Sequence, residues 1–229
     1  MSDSLPILHF SDILCVWAYA ADIRVRELER QFAGQIEIAY HFIPVYGDVR
    51  RRIANSGLGV DGYSQKIRGV AARFDHVRVH EEIFRTRPPT SSMPCHLFLR
   101  AVSLLGPEDV AGCKVGEGDP GKVLALAVSG LRRAFFEDLV DVSAHSEQLA
   151  LAERLGLPVG LIEGHLASGR AHAEHAHDLE LQKRYDVSLS PTLVLNEGRQ
   201  RLNGNVGYRV LEANVRELLR QPAEEFSWC

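Results

Sequence analysis

The chain has 229 residues, 45% of them hydrophobic, enough to bury a large core, and its formal net charge of −4 gives no electrostatic case for nucleic acid or an anionic membrane. No apolar run approaches the roughly 18 residues of a membrane span, and the polar, slightly acidic start Met1-Ser2-Asp3-Ser4 lacks the pattern of a secretory leader. A cytoplasmic protein with no nucleic-acid and no membrane partner is expected.

Ile7 to Phe10 reads as a short strand bounded by Pro6 and Ser11-Asp12. A helix follows from Val16 to about Phe32, with Trp17, Ala21, Val25, Leu28 and Phe32 at helical spacing, and Gly34 stops it. Ile36 to Phe42 alternates as a strand and Pro44 closes it. A β-α-β opening of this length predicts two parallel strands joined by a right-handed crossover.

From Gly47 to about Tyr185 the strand signal disappears. Arg50-Arg51-Arg52 reads as a solvated helix face, and helices are predicted around Ser64–Phe74, Pro94–Leu105, Lys122–Asp138, Ser146–Leu155, Pro158–Ser168 and Ala171–Tyr185. Breaks fall at Arg87-Pro88-Pro89-Thr90 and in the loop from Gly106 to Gly121, which holds five glycines and two prolines. Gly57-Leu58-Gly59-Val60-Asp61-Gly62 spells G-x-G-x-x-G, but no strand precedes it, so it reads as a flexible loop able to close over a site and not as a dinucleotide fingerprint.

Strands return at Thr192–Leu195 and near Arg201–Asn203, as a hairpin around Asn196-Glu197-Gly198, and a last helix runs from Tyr208 to Arg220. The class is therefore α/β. Residues 1–46 and 171–222 form a β-α-β … α-β-β-α unit, an all-helical insertion spans 47–170, and 223–229 is a tail. Ser190-Pro191 opens the third strand, a position proline tolerates; the isomer of that bond stays open.

Four cysteines (Cys15, Cys95, Cys113, Cys229) without C-x-x-C spacing suggest neither a disulfide scaffold nor a structural zinc site. Cys15 stands where a strand hands over to a helix, and unpaired N–H groups at a helix start can lower a thiol pKa from about 8.5 to between roughly 3.5 and 7.5. It is the candidate nucleophile. Asp12, three residues earlier, caps the helix start or serves as a base. Cys95 reads as a packed helix cysteine and Cys113 as incidental. Among ten histidines, His172 and His175, and likewise His76 and His80, share helix spacing, but each pair reads as a polar helix face and no metal site is expected.

These residues carry a resemblance over nearly the whole chain. It is similar to the DsbA-like branch of the thioredoxin superfamily, in which helices interrupt a thioredoxin fold, and more closely to FrnE-type oxidoreductases and 2-hydroxychromene-2-carboxylate isomerases. The family's D-x-x-C-P-W-C segment matches Asp12-Ile13-Leu14-Cys15-Val16-Trp17-Ala18, and its G-V-x-G-V-P-T segment matches Tyr185-Asp186-Val187-Ser188-Leu189-Ser190-Pro191-Thr192. The closing strand, glycine and helix match Leu202-Asn203-Gly204 onward.

The departures matter equally. Ala18 stands at the second, resolving cysteine and Val16 at the usual proline, so this chain cannot close its own C-x-x-C disulfide. The resemblance implies a monothiol oxidoreductase with Cys15 as nucleophile, Asp12, Val16, Trp17 and Ala18 as the wall and helix start, and Ser190, Pro191 and Thr192 binding a thiol-bearing small molecule or peptide by strand addition. No cofactor is tightly bound on this reading; glutathione serves as co-substrate, or Cys229 as a remote resolving thiol. Two other readings stand: a glutathione-dependent transferase or isomerase, kin to kappa-class enzymes that keep a serine at this place, and a non-catalytic binding module. The resemblance alone suggests a homodimer.

Overall fold

The protein is described here from a computed structural model, which covers residues 4–113 and 116–220. β1 (Leu5–Ser11) pairs in parallel with β2 (Ile36–Phe42), and between them runs α1 (Val16–Gln31). Pro6 lies inside β1, where a proline removes a donor. The antiparallel partner on the other side begins only at Ile7, so the missing N–H leaves no gap in that ladder.

The following helices are α2 (Val49–Asn55), α3 (Gly59–Ala71), α4 (Met93–Ser103), the short α5 (Pro107–Val110), α6 (Pro120–Phe136), α7 (His145–Leu155), α8 (Val159–Ala167) and α9 (Arg170–Arg184). Then come β3 (Thr192–Leu195), β4 (Gln200–Asn203) and α10 (Tyr208–Arg220). β3 is antiparallel to both β1 and β4, giving the order β2-β1-β3-β4. The predicted hairpin is present, with Asn196–Gly198 as a single 3-10 turn.

Strand alternation divides the sheet between two helical layers. Ile7, Leu193 and Leu195 meet Leu28 of α1, Phe32 at its C-cap, and Leu211, Val215 and Leu218 of α10. Phe10 and Val194 face the other way, against Leu181 of α9 and Ile43. The largest apolar cluster joins the inner face of α1 (Val16, Ala20, Val25) and Phe42 to Phe98, Leu99, Leu131 and Phe136 of the inserted helices.

Two buried ionic clamps reinforce that join. Asp178 on α9 accepts from His41 Nδ1 at 2.8 Å and Arg100 Nε at 2.7 Å, while Arg100 also reaches the Tyr40 carbonyl at 2.5 Å. Arg132 on α6, fully buried, pairs with Asp22 on α1 and donates to Ser11 Oγ at 3.0 Å. Buried charges persist only when paired in this way.

Three local expectations change. Gly57 and Gly59, at φ of +71° and +63°, form the α2–α3 corner, so Gly59–Gly62 is the first turn of α3 and not a free loop. Tyr63, Ile67, Val70 and Ala71 bury at helical spacing and extend that helix backward. The glycine-rich stretch from 106 to 121 contains α5 as well as a 3-10 turn. His175 and Asp178 turn inward instead of lining a polar face, because His175 stacks on His96 (5.6 Å between centroids, 17° between planes). His76 and His80 fall in an irregular segment after α3, with His76 Nε2 at 3.0 Å from the Ala20 carbonyl.

Candidate active site

The turn after β1 places Cys15. Asp12 Oδ1 accepts the Leu14 N–H at 2.8 Å and the Asp12 carbonyl accepts the Cys15 N–H at 3.2 Å, a local fold-back typical of aspartate. Ile13 and Leu14 are fully buried and anchor the turn. Cys15 is itself the N-cap of α1, with extended backbone (φ −86°, ψ 113°), and its side chain makes no cap hydrogen bond to the helix start. The opposing wall is the cis Ser190–Pro191 peptide. Cys15 Sγ donates to the Ser190 carbonyl at 3.2 Å, and Ser190 Oγ accepts from the Asp12 N–H at 2.9 Å.

The electrostatics overturn the expectation of a thiol pKa lowered by the helix start. Burial pushes the Cys15 thiol up and the nearby Asp12 carboxylate adds to that rise. The Ser190 hydroxyl and the Ala18 and Trp17 N–H groups oppose it without overcoming it. Only 6% of the residue is exposed, so desolvation of a thiolate outweighs the helix start.

Asp12 does not cap α1. Its Oδ2 accepts from the Tyr46 N–H and from Ser92 Oγ, each at 2.8 Å, so it ties the strand-end turn to two later segments. Full burial raises its pKa from 3.8 to about 6, with those hydrogen bonds pulling the other way. Nε2 of the buried His96 stands 3.8 Å from Oδ1, and neither ring nitrogen of His96 has a hydrogen-bond partner among the described residues.

Val16 and Ala18 are buried behind the sulfur, while Trp17 is half-buried, edge-on to Phe74 and beneath the Arg73 guanidinium. Strand addition along the third strand needs correction at Thr192. This residue is fully buried, its backbone paired with Phe10 and Asn203, and its hydroxyl donates to the Leu189 carbonyl at 2.9 Å. The Pro191 carbonyl already accepts from Gly204 N–H at 2.8 Å. Ser190 is half-buried beside the 52%-exposed Leu189.

Cys95 is buried and donates to the Val142 carbonyl, and Cys113 donates to the Gly156 carbonyl, each at 3.2 Å. Cys229 lies outside the described residues. Among those described, no three His, Cys, Asp or Glu side chains group to hold a metal ion, and no helix is long and apolar enough to cross a membrane. A cavity of about 730 Å³ between α1, β2 and α6 opens away from the sulfur, against Arg26, Ile36, Ile38 and Leu126.

Sequence reading missed Tyr46, Arg52, Tyr63 and Ser92. Tyr46 and Tyr63 share a hydroxyl–hydroxyl bond of 2.7 Å, and Arg52 sits over the Tyr46 ring at 5.6 Å. No spacing links 46, 52, 63 and 92 to position 15; only the packing of α2, α3 and α4 on the turn does.

The model of the DSBA-like thioredoxin domain matches residues 6–216, nearly the whole chain. The chain belongs to that family. Its thioredoxin-like fold, with helices set between β2 and β3, follows the family's architecture, and the family is one of thiol-disulfide oxidoreductases and isomerases. Among solved structures, a Nitrosomonas europaea protein described as a protein disulfide isomerase aligns at a TM-score of 0.75 with 15% identity, over 96% of this chain and 100% of its own. The cytosolic disulfide reductase DsbM from Pseudomonas aeruginosa with GSH aligns at 0.63 with 18% identity, over 93% and 100%. A 2-hydroxychromene-2-carboxylate isomerase aligns at 0.62 with 18% identity, over 97% and 100%. At such identities these likenesses speak for the shared fold. No curated protein matches the chain.

Proposed function

We propose that this member of the family is a single-cysteine thiol–disulfide oxidoreductase in which Cys15 is the nucleophile and glutathione completes the cycle. The observation that carries the reading is the contact of Cys15 Sγ with the Ser190 carbonyl beside the cis peptide, at the start of α1. Cys15 thiolate attacks one sulfur of a disulfide; a new S–S bond forms to Cys15 while the old one breaks and its electron pair leaves on the second sulfur. A glutathione thiolate then attacks the substrate sulfur of the mixed disulfide; a new S–S bond joins glutathione to that sulfur while the bond to Cys15 breaks and its electron pair returns Cys15 as a thiolate. Ala18 supplies no internal resolving thiol, so the second step needs a thiol from elsewhere. The similar DsbM is a cytosolic disulfide reductase, which supports a reducing compartment and a cytoplasmic site of action.

A second reading draws on the raised Cys15 pKa. A thiol that keeps its proton can donate a hydrogen bond to the thiolate of bound glutathione, as a hydroxyl would, and serve a transferase or isomerase.

Intact-mass analysis after incubation with glutathione disulfide tests the first reading. One adduct per chain is expected, absent from Cys15→Ser and removed by reduced glutathione. A wild-type chain that gains no adduct at Cys15 overturns it. If Cys15→Ser conjugates glutathione to a small electrophile as fast as wild type, the second reading replaces it. Running the release step with Cys229→Ser shows whether the tail thiol contributes.

A further inference from the structure

The Tyr46 hydroxyl is buried with the sulfur and has no place in the exchange described above. Its backbone is held on both sides: the N–H donates to Asp12 Oδ2 at 2.8 Å and the carbonyl accepts from the Ser92 N–H at 3.0 Å. Since Asp12 is also joined to the Cys15 N–H through its carbonyl, Tyr46 is positioned by the same turn that places the thiol. Tyr46, Tyr63 and Cys15 belong to one apolar cluster, and Tyr46 stacks on Phe84 at 5.8 Å, which limits ring motion. Burial pushes the Tyr46 hydroxyl well up, and the charges of Cys15 and Tyr63 raise it further.

Proton bookkeeping leaves one hydroxyl proton over. Tyr46 and Tyr63 carry two hydroxyl protons between them, and their mutual bond of 2.7 Å uses one. The second has no acceptor among the described residues. The exposed Arg52 guanidinium lies over the Tyr46 ring and acts on both hydroxyls, a fixed positive charge that favours an anion nearby. The α1 N–H groups of Trp17 and Ala18 act on Cys15 itself, opposing the rise of its pKa.

We propose that Tyr46, backed by Tyr63 and Arg52, donates a hydrogen bond to the sulfur displaced from the substrate disulfide and so matches the site to substrates that release a basic aliphatic thiol. The inference rests on Cys15 being the nucleophile. As the S–S bond breaks, its electron pair collects on the leaving sulfur, the Tyr46 O–H stabilises that thiolate, and water protonates it after release. The tyrosine keeps its own proton, and Cys15 alone changes oxidation state on the protein.

The test compares leaving groups. Second-order rates of Cys15 modification are measured with glutathione disulfide, which releases a basic thiol, and with 5,5′-dithiobis(2-nitrobenzoate), which releases an acidic aromatic thiol needing little help. Tyr46→Phe is expected to lose about tenfold with the first, the worth of one hydrogen bond to a charged group, and less than twofold with the second. Equal losses with both reagents, or none with either, overturn the proposal, because a merely structural role ignores the leaving group. Arg52→Gln, at an exposed position, should show the same selectivity with a smaller amplitude and carries the test if Tyr46→Phe fails to fold. Wild-type protein unreactive at Cys15 toward both reagents removes the exchange reading itself, an outcome separate from a loss confined to the variants.

Discussion

Cys15 and Ser190 are joined across the chain by an S–H···O=C hydrogen bond of 3.2 Å, between the first residue before α1 and the residue preceding a cis proline. The same serine takes the Asp12 N–H on its hydroxyl, so both ends of the turn lean on it. This stitch explains how a thiol at a helix start is kept protonated: its proton has an acceptor and its sulfur has almost no water.

Alkylation should reveal this directly. With the thiol pKa raised by burial, the rate of iodoacetamide reaction at Cys15 in the native protein is expected to keep climbing with pH past 8.5, without the plateau below neutrality of an activated cysteine. Peptide mapping of the labelled protein reads it out. The sign for stability follows: the native state holds this proton more tightly than the unfolded chain, so the contribution is present below about pH 8.5 and is lost as pH rises through the folded pKa. Cys15→Ala should remove that alkaline loss.

Ala18→Cys restores the missing partner. Ala18 is fully buried in the first turn of α1, where the resemblance puts the second cysteine, so the introduced thiol is expected beside the existing one. Oxidation should yield a chain two hydrogens lighter with no lasting glutathione adduct. A variant that still accumulates the mixed disulfide would show that the two sulfurs do not meet.

Asp12 and His9 pull acid stability in opposite directions. The Asp12 pKa rises from 3.8 to about 6, so its contribution to stability is lost as pH rises through that window, about 3 kcal/mol in all. His9, fully buried and with neither ring nitrogen partnered among the described residues, has its pKa lowered from 6.5 to about 3 by burial first and by Arg132 second. Its contribution is present above pH 6.5 and is lost as pH falls toward 3. Urea midpoints between pH 4 and 7 should therefore drop more steeply on acidification in Asp12→Asn than in wild type, and less steeply in His9→Phe.

The Arg132–Asp22 clamp should be costly to break and cheap to replace. Arg132→Met leaves Asp22 buried without its cation, and a loss of about 3–5 kcal/mol is expected from denaturant titration. The double variant Arg132→Met/Asp22→Leu should recover most of it. Additive losses in the double variant would count against a charge-pairing role.

Much of the architecture was legible in local sequence. The β-α-β opening, the helical block and the closing hairpin and helix all follow from periodicity, because alternation and 3.6-residue spacing record which side of each element is buried. The glycines at 57 and 59 misled for the opposite reason: both adopt positive φ, which is loop chemistry, yet the buried stripe from Tyr63 onward carries α3 back over the second of them.

The candidate site divides along the same line. Cys15 at a strand-to-helix handover, the absence of a cysteine at 18 and a proline at the head of the third strand are written in order along the chain, and sequence alone determined them. What the thiol experiences was decided by tertiary structure. Desolvation and charge depend on everything that packs around a group, and here that means Asp12, Ser190 and Tyr46 arriving from three separate segments. A helix start predicts a lowered pKa only while water still reaches the sulfur; once the fold closes over it, burial sets the sign.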